Sequence, residues 1–177
     1  VGWNGSRFEW VEAGAVTPEV EDYIRRYIGP REEGEIVEAS LAALAWLDRI
    51  AGALERGYVL TIDYGYTRRE SFRFPSGTLM SYHRHTALED VLAAPGERDI
   101  TAHVCFTALE EHGRARGLET VRFETMARAL LRAGEADEFA AALAGADERE
   151  TTRRTLQLKT LLFGMGETFR VLLQRKA

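Results

Sequence analysis

Residues 57–66, GYVLTIDYGY, restrict the fold more than any other stretch of the chain. Tyr58 to Ile62 are aromatic, aliphatic or β-branched, and read as a buried strand. The run stops on Asp63, followed by Tyr64, Gly65 and Tyr66. A core strand of this kind belongs to a sheet covered on both faces. In such sheets ligands lie beyond the carboxyl ends of the strands. Asp63 is therefore expected at the mouth of a crevice, where its charge is not buried unpaired. The plainer account of the same residues is a strand end whose acid pairs with an arginine and whose tyrosines close the core.

The rest of the chain fits an α/β order. Trp3, a turn at Asn4-Gly5-Ser6, and alternating Phe8 and Trp10 predict a hairpin with a short strand over 7–12. A chain that opens inside a hairpin is expected to be a piece of a longer one. Thr17-Pro18-Glu19 predicts a helix entry with a hydroxyl cap and proline in the first turn, running to about Ile28. EIVEA, residues 35–39, predicts a short alternating strand. Ser40 is expected to cap a helix with Leu41, Leu44, Leu47 and Ile50 on its apolar face. Residues 67–77 predict a loop, 78–88 an extended segment, and 105–116 a helix stopped by Gly117. Then come the strand ETVRFET, one or two helices, a helix from Glu148, and the final strand TFRVLLQRK. Helices alternating with strands give an α/β sheet with helices on both faces.

Composition narrows the function. The 177 residues carry a net charge of -5, which argues against a nucleic-acid partner. No apolar run reaches the roughly 20 residues of a membrane span, so no membrane role is expected. The one cysteine, Cys105, excludes an internal disulfide and fits a reducing, cytoplasmic setting.

Several groups could carry chemistry. Gly65 permits close backbone approach to a ligand, and Tyr64 offers a flat face to a ring or a cation. His83 and His85 share a strand face, and His103 follows Asp99 by four residues. Three converging histidines would suit a metal, but no familiar ligand spacing is present. A base, an acceptor-orienting histidine, or a histidine satisfied by Asp99 are the other readings. Asp99 or Thr101 could equally cap a helix. FGMGE, residues 163–167, lacks the third glycine and the following helix of a dinucleotide loop, and reads as a turn into the last strand. The arginine pairs at 25–26, 68–69 and 153–154 are interleaved with acids and read as solvated faces.

Taken in order, Asp63-Tyr64-Gly65, Gly77-Thr78-Leu79, Tyr82 with His85, Pro95-Gly96, and Asp99-Ile100-Thr101-Ala102-His103-Val104 with Phe106, closed by GMGETFRVL, resemble one family. They are similar to the carboxyl-terminal half of the MidA-like S-adenosylmethionine-dependent methyltransferases, which include a mitochondrial complex I assembly factor that methylates protein arginine. The resemblance covers most of residues 34–177. It implies a class I, Rossmann-like sheet, with 58–63 as its fifth strand, ETVRFET as its sixth and TFRVLLQR as its antiparallel seventh. Residues 1–33 would be a hairpin and helix insertion ahead of it. The cofactor implied is S-adenosylmethionine, and the acceptor a protein side chain. Asp63, His85 and His103 would be catalytic; Tyr64, Gly65, Tyr82, Asp99 and Thr101 would bind substrate. Two departures stand out. Met126 and Ala129 replace the glutamine and aromatic expected after the sixth strand, and the glycine-rich cofactor loop is nowhere in these residues. Half a sheet with a raw edge also predicts homo-oligomers. The other function classes are a non-catalytic binding or scaffold module, and a metal hydrolase using His83, His85 and His103.

Overall fold

The computed structural model describes residues 1–83, 86–88 and 90–177. In chain order the elements are β1 (Gly2–Trp3), β2 (Phe8–Glu9), α1 (Pro18–Tyr23), α2 (Leu41–Ala53), β3 (Gly57–Tyr66), β4 (Met80–His83), β5 (Thr86–Leu88), β6 (Asp99–Thr101), β7 (Val104–Cys105), α3 (Phe106–Ala115), β8 (Glu119–Thr125), α4 (Met126–Gly134), α5 (Ala140–Leu143), α6 (Glu148–Lys159) and β9 (Phe169–Lys176). The α/β class expected from the sequence is present. They form two compact units, residues 1–46 with 66–109 and residues 47–65 with 110–177. Among the described residues no helix is long and apolar enough to cross a membrane.

The first unit begins with the expected hairpin. Asn4 closes it by accepting from the backbone N–H groups of Ser6 and Arg7, both at 3.1 Å. Trp3 and Phe8 meet edge to face across it, 5.1 Å between centroids. At α1 the Thr17 hydroxyl makes no capping bond; its carbonyl accepts from Val20 and Glu21 instead. A wide π turn over Ile24–Ile28 follows and ends at Gly29, whose φ of 93° suits glycine. Tyr23, Tyr27 and Ile28 are thereby buried with Tyr66, Cys105 and Ala108, and Phe74 and Leu44 pack against them. EIVEA is not the short strand expected, since among the described residues it forms only an isolated parallel bridge, Ile36 to Ser76. β4 pairs antiparallel with both β5 and β6 in a small sheet. Its fully buried Ser81 donates to the Leu88 carbonyl at 3.1 Å.

In the second unit β9 lies between β3 and β8 and runs antiparallel to both. β3 is longer than the sequence implies, because pairing with β9 continues through Asp63–Arg170 to Tyr64–Phe169. Its burial is also one-sided: Tyr58, Leu60 and Ile62 are 64%, 59% and 49% exposed. On the opposite face of the sheet Leu172 and Gln174 of β9 are fully buried. α3 reaches Gln174 through Gly113, where an added Cβ would sit 2.4 Å from the amide nitrogen. The helix stops at Gly117, with φ 80°, as expected. Asp48 of α2 holds α3 from the side, receiving Arg116 Nε at 2.7 Å and contacting His112 Nε2 at 2.6 Å. Thr125 and Asp147 cap α4 and α6 by accepting from Arg128 and Glu150 N–H.

Leu172 sits in the middle of the covered face, so Leu172→Ala is expected to cost about 2–4 kcal/mol in urea denaturation, against under ~0.5 kcal/mol for the exposed Leu60→Ala. Arg116, with His112, holds the Asp48 carboxyl at about 2. A carboxyl depressed when folded stabilises fully above its unfolded value of about 3.9, and that stabilisation is lost as pH falls toward about 2. Asp48→Asn is therefore expected to lower the urea midpoint at pH 7, with the gap from the parent closing by about pH 2.

Candidate functional site

Glu38 organises the first unit's site. Its Oε1 accepts from the backbone N–H of Thr78 at 2.7 Å and of Leu79 at 3.1 Å, and its Oε2 accepts from the Thr78 hydroxyl at 3.1 Å. Gly77 is required here twice over: its φ is 77°, and an added Cβ would lie 2.5 Å from Glu38 Oε1. The same Thr78 hydroxyl oxygen accepts from the His103 N–H at 2.9 Å. One carboxylate and one hydroxyl thus join the segments at 38, 77–79 and 103.

Beside this junction lies a cavity of about 260 Å³, with Tyr23, Glu38, Tyr66, His103 and Cys105 among its lining. The His103 ring stands edge-on to Phe74 at 5.2 Å, and Phe74 tilts onto Tyr66 at 5.5 Å. Burial pushes the Tyr66 hydroxyl well above its ordinary range, with Cys105 and Glu38 adding to it. Burial does the same to Tyr23. Both phenols stay protonated at neutral pH and can donate. Cys105 is buried with its sulfur 3.6 Å from the Tyr27 carbonyl, as a core thiol.

Three of the expected binding residues share one face of the small sheet. Tyr82 lies directly opposite Asp99, and Met80 opposite Thr101, in antiparallel register. Side chains so paired are neighbours. Tyr82 is 40% exposed, and Asp99 and Thr101 are exposed. Neither Asp99 nor Thr101 caps a helix, since both belong to β6 and α3 starts only at Phe106. Two residues past β6 the chain reaches His103 and the cavity. A carboxylate beside an aromatic ring is a chemical match for an organic cation.

His83 lies in β4, one residue from Tyr82 and so on the other face, with Nδ1 donating to the Glu97 carbonyl at 3.0 Å. His85 lies outside the described residues. Among the described residues no three of His, Cys, Asp and Glu converge as a metal site.

Asp63, Tyr64 and Gly65 belong to the second unit. Asp63 is within β3, not beyond its end, and its exposed carboxylate accepts from the Tyr64 N–H at 2.8 Å. The Tyr64 ring lies against Phe169, centroids 3.9 Å apart. The DYG and GMGETF motifs meet in that ring pair. The carbonyl of Gly166 in the second motif accepts from the Ala127 N–H at 3.0 Å, and an added Cβ would lie 2.2 Å from the Leu162 oxygen. Met126, at the expected glutamine position, is buried.

The sequence reading passed over Glu38 and Tyr23 as site residues, whereas Tyr66, part of the DYGY motif, does line the cavity. The available signal was an acid on the inward side of an otherwise short apolar alternation, three residues before a helix. Glu38→Ala leaves two N–H groups of a half-buried turn without their carboxylate and is expected to cost about 2–3 kcal/mol, whereas Glu38→Gln, which keeps one acceptor oxygen, costs under ~1.5 kcal/mol by the same denaturation measurement.

Comparison with known proteins adds three findings. The model of the family described as putative S-adenosyl-L-methionine-dependent methyltransferase matches residues 1–124. An uncharacterized protein from Burkholderia thailandensis has a similar crystal structure, with 33% identity and a TM-score of 0.73 over 82% of this chain and 40% of its own. A member of the same superfamily from that organism, titled a "likely methyl transferase" and bound to S-adenosyl-homocysteine, gives 33% identity and a TM-score of 0.75 over 82% of this chain and 38% of its own. This chain thus spans about two fifths of the solved relatives' length. No curated protein matches it.

Proposed function

The chain belongs to the family of putative S-adenosyl-L-methionine-dependent methyltransferases, and from that premise we propose that it supplies the acceptor-facing part of a methyltransferase acting on protein arginine. The observation that carries this reading is the Tyr82–Asp99 pair, with Thr101 on the same face and His103 two residues further on in the cavity. A guanidinium presents a planar fork that a carboxylate receives and a ring face that an aromatic covers. Asp99 would hold the guanidinium, Tyr82 would lie against it, and Thr101 would accept or donate at its rim. His103 would orient the acceptor or hold the proton it gives up. Asp63 and Tyr64 are consecutive in β3 of the second unit and so lie on opposite faces; with Gly65 and His85 they are the other residues proposed to serve the site.

The cavity beside His103 does not by itself make a whole cofactor site. The cavity of about 260 Å³ falls below the roughly 300–1,000 Å³ of pockets that enclose a ligand. Gly164 and Gly166 lead toward strand β9 and not into a helix whose N–H groups could receive a charged end. S-adenosylmethionine is the cofactor of the whole enzyme on this reading, and this chain's part is to bind and align the acceptor, which supplies much of the acceleration in a transfer between two bound partners.

Binding of acetyl-arginine amide to the 177-residue protein, followed by NMR shift titration, tests the reading. Shifts are expected at Tyr82, Asp99 and Thr101, with acetyl-glutamine amide giving none there. Asp99→Asn should weaken binding about tenfold, the equivalent of ~1.4 kcal/mol, with the Thr78 and Leu79 amide signals unmoved. Equal shifts with the neutral amide would contradict an arginine acceptor.

A further inference from the structure

The charge of the chain is unevenly placed. Residues 1–46 hold four arginines against nine aspartates and glutamates, a balance of -5, while residues 47–177 hold nineteen of each sign. The whole net charge of the protein therefore sits in the segment that opens with the hairpin. Three of the four arginines already serve acids: Arg25 and Arg26 pair with Asp22, and Arg31 lies 3.6 Å from Glu35. The fourth, Arg7, stands at the hairpin turn, with Glu9 in β2 and the exposed Glu12 beyond it.

The hairpin sets aromatic rings into this acidic segment. Trp3 pairs with Phe8 and Gly2 with Glu9, so Trp3 and Phe8 share one face. A Cβ on Gly2 would lie 2.7 Å from Val11 Cγ1, which places Val11 on the Gly2 face. Trp10, between Glu9 and Val11, thus falls on the Trp3 face. Trp3, Phe8 and Trp10 are 59%, 40% and 66% exposed.

We propose that the Trp3–Phe8–Trp10 face docks an arginine-rich segment of a partner polypeptide. The proposal extends the arginine reading to a second surface and rests on it for the choice of cation. Aromatic faces attract cations through the ring quadrupole, and a surplus of carboxylates draws them in from a distance. A planar guanidinium stacks on such rings where a hydrated ammonium does not. An acidic partner would meet repulsion, and a second copy of this chain would bring the same surplus of acids.

The probe is amidated tetra-arginine, titrated into the 177-residue protein with NMR shift mapping and tryptophan fluorescence. The Trp3 and Trp10 indole N–H signals are expected to move, and affinity to fall as salt rises. Tetra-lysine should bind about threefold more weakly, and Trp10→Leu should weaken tetra-arginine about threefold. Phe72→Leu, an exposed ring outside the hairpin, should change nothing. Trp10 lies outside the two paired strands, and Asn4 closes the turn, so the Ser6 and Arg7 amide signals should keep their positions in Trp10→Leu. Unmoved indole signals, equal affinity for tetra-lysine, or binding indifferent to Trp10→Leu would each overturn the dock. So would a homodimer abolished by the same substitution. Shifts at Tyr82, Asp99 and Thr101 are scored separately: hairpin shifts without them support the dock and contradict the acceptor site, and the reverse pattern overturns the dock alone.

Discussion

Three donors converge on the carboxylate of Glu38, and the first unit's site takes its shape from that convergence. A turn whose N–H groups point inward needs an acceptor, and a charged one forms shorter, stronger bonds than a neutral one. Glu38 meets that need while lining the cavity. Thr78 passes the constraint on, giving its proton to Glu38 and its lone pair to the His103 N–H. The position of the histidine is thus fixed through its backbone and its ring is left to the cavity and to Phe74. Gly77 completes the device, because no other residue lets the turn come so close.

The second unit works by a different rule. Its stability comes from one well-covered sheet face, where β9 is clasped between two strands and buries Leu172 and Gln174. On the other face Tyr58, Leu60 and Ile62 are exposed, while Val171 is buried and the charged Arg122 and Glu124 of β8 lie alongside. The two units are therefore built differently: one arranges polar groups around a cavity, and the other buries one face of an antiparallel sheet.

Much of this was legible in the residues. Asn4-Gly5-Ser6 specified the hairpin because its side-chain oxygen and its positive-φ glycine act locally. β8, α3 and β9 followed from period and from Gly117, again local signals. The misreadings concern partners distant in sequence. β3 runs on through Asp63 because β9, more than a hundred residues later, keeps pairing with it. Its apolar run implied burial on both sides, yet Tyr58, Leu60 and Ile62 are exposed, because pattern reports what a face suits and not what packs on it. Asp99 and Thr101 resembled helix caps by composition, and pairing with β4 drew them into a strand. Glu38 was missed since its role depends on a turn forty residues away. The pairing of Tyr82 with Asp99, the most informative feature of the site, was visible as two motif residues but not as neighbours.

The most direct test is methyl transfer itself. The 177-residue protein is combined with the cofactor-holding portion of a relative, S-adenosylmethionine carrying a labelled methyl group is added, and arginine-containing proteins are analysed by mass spectrometry for the site of label. The account predicts label on arginine nitrogen. Label confined to some other residue type, or an assembled complex that binds S-adenosylmethionine and labels no protein, would contradict it.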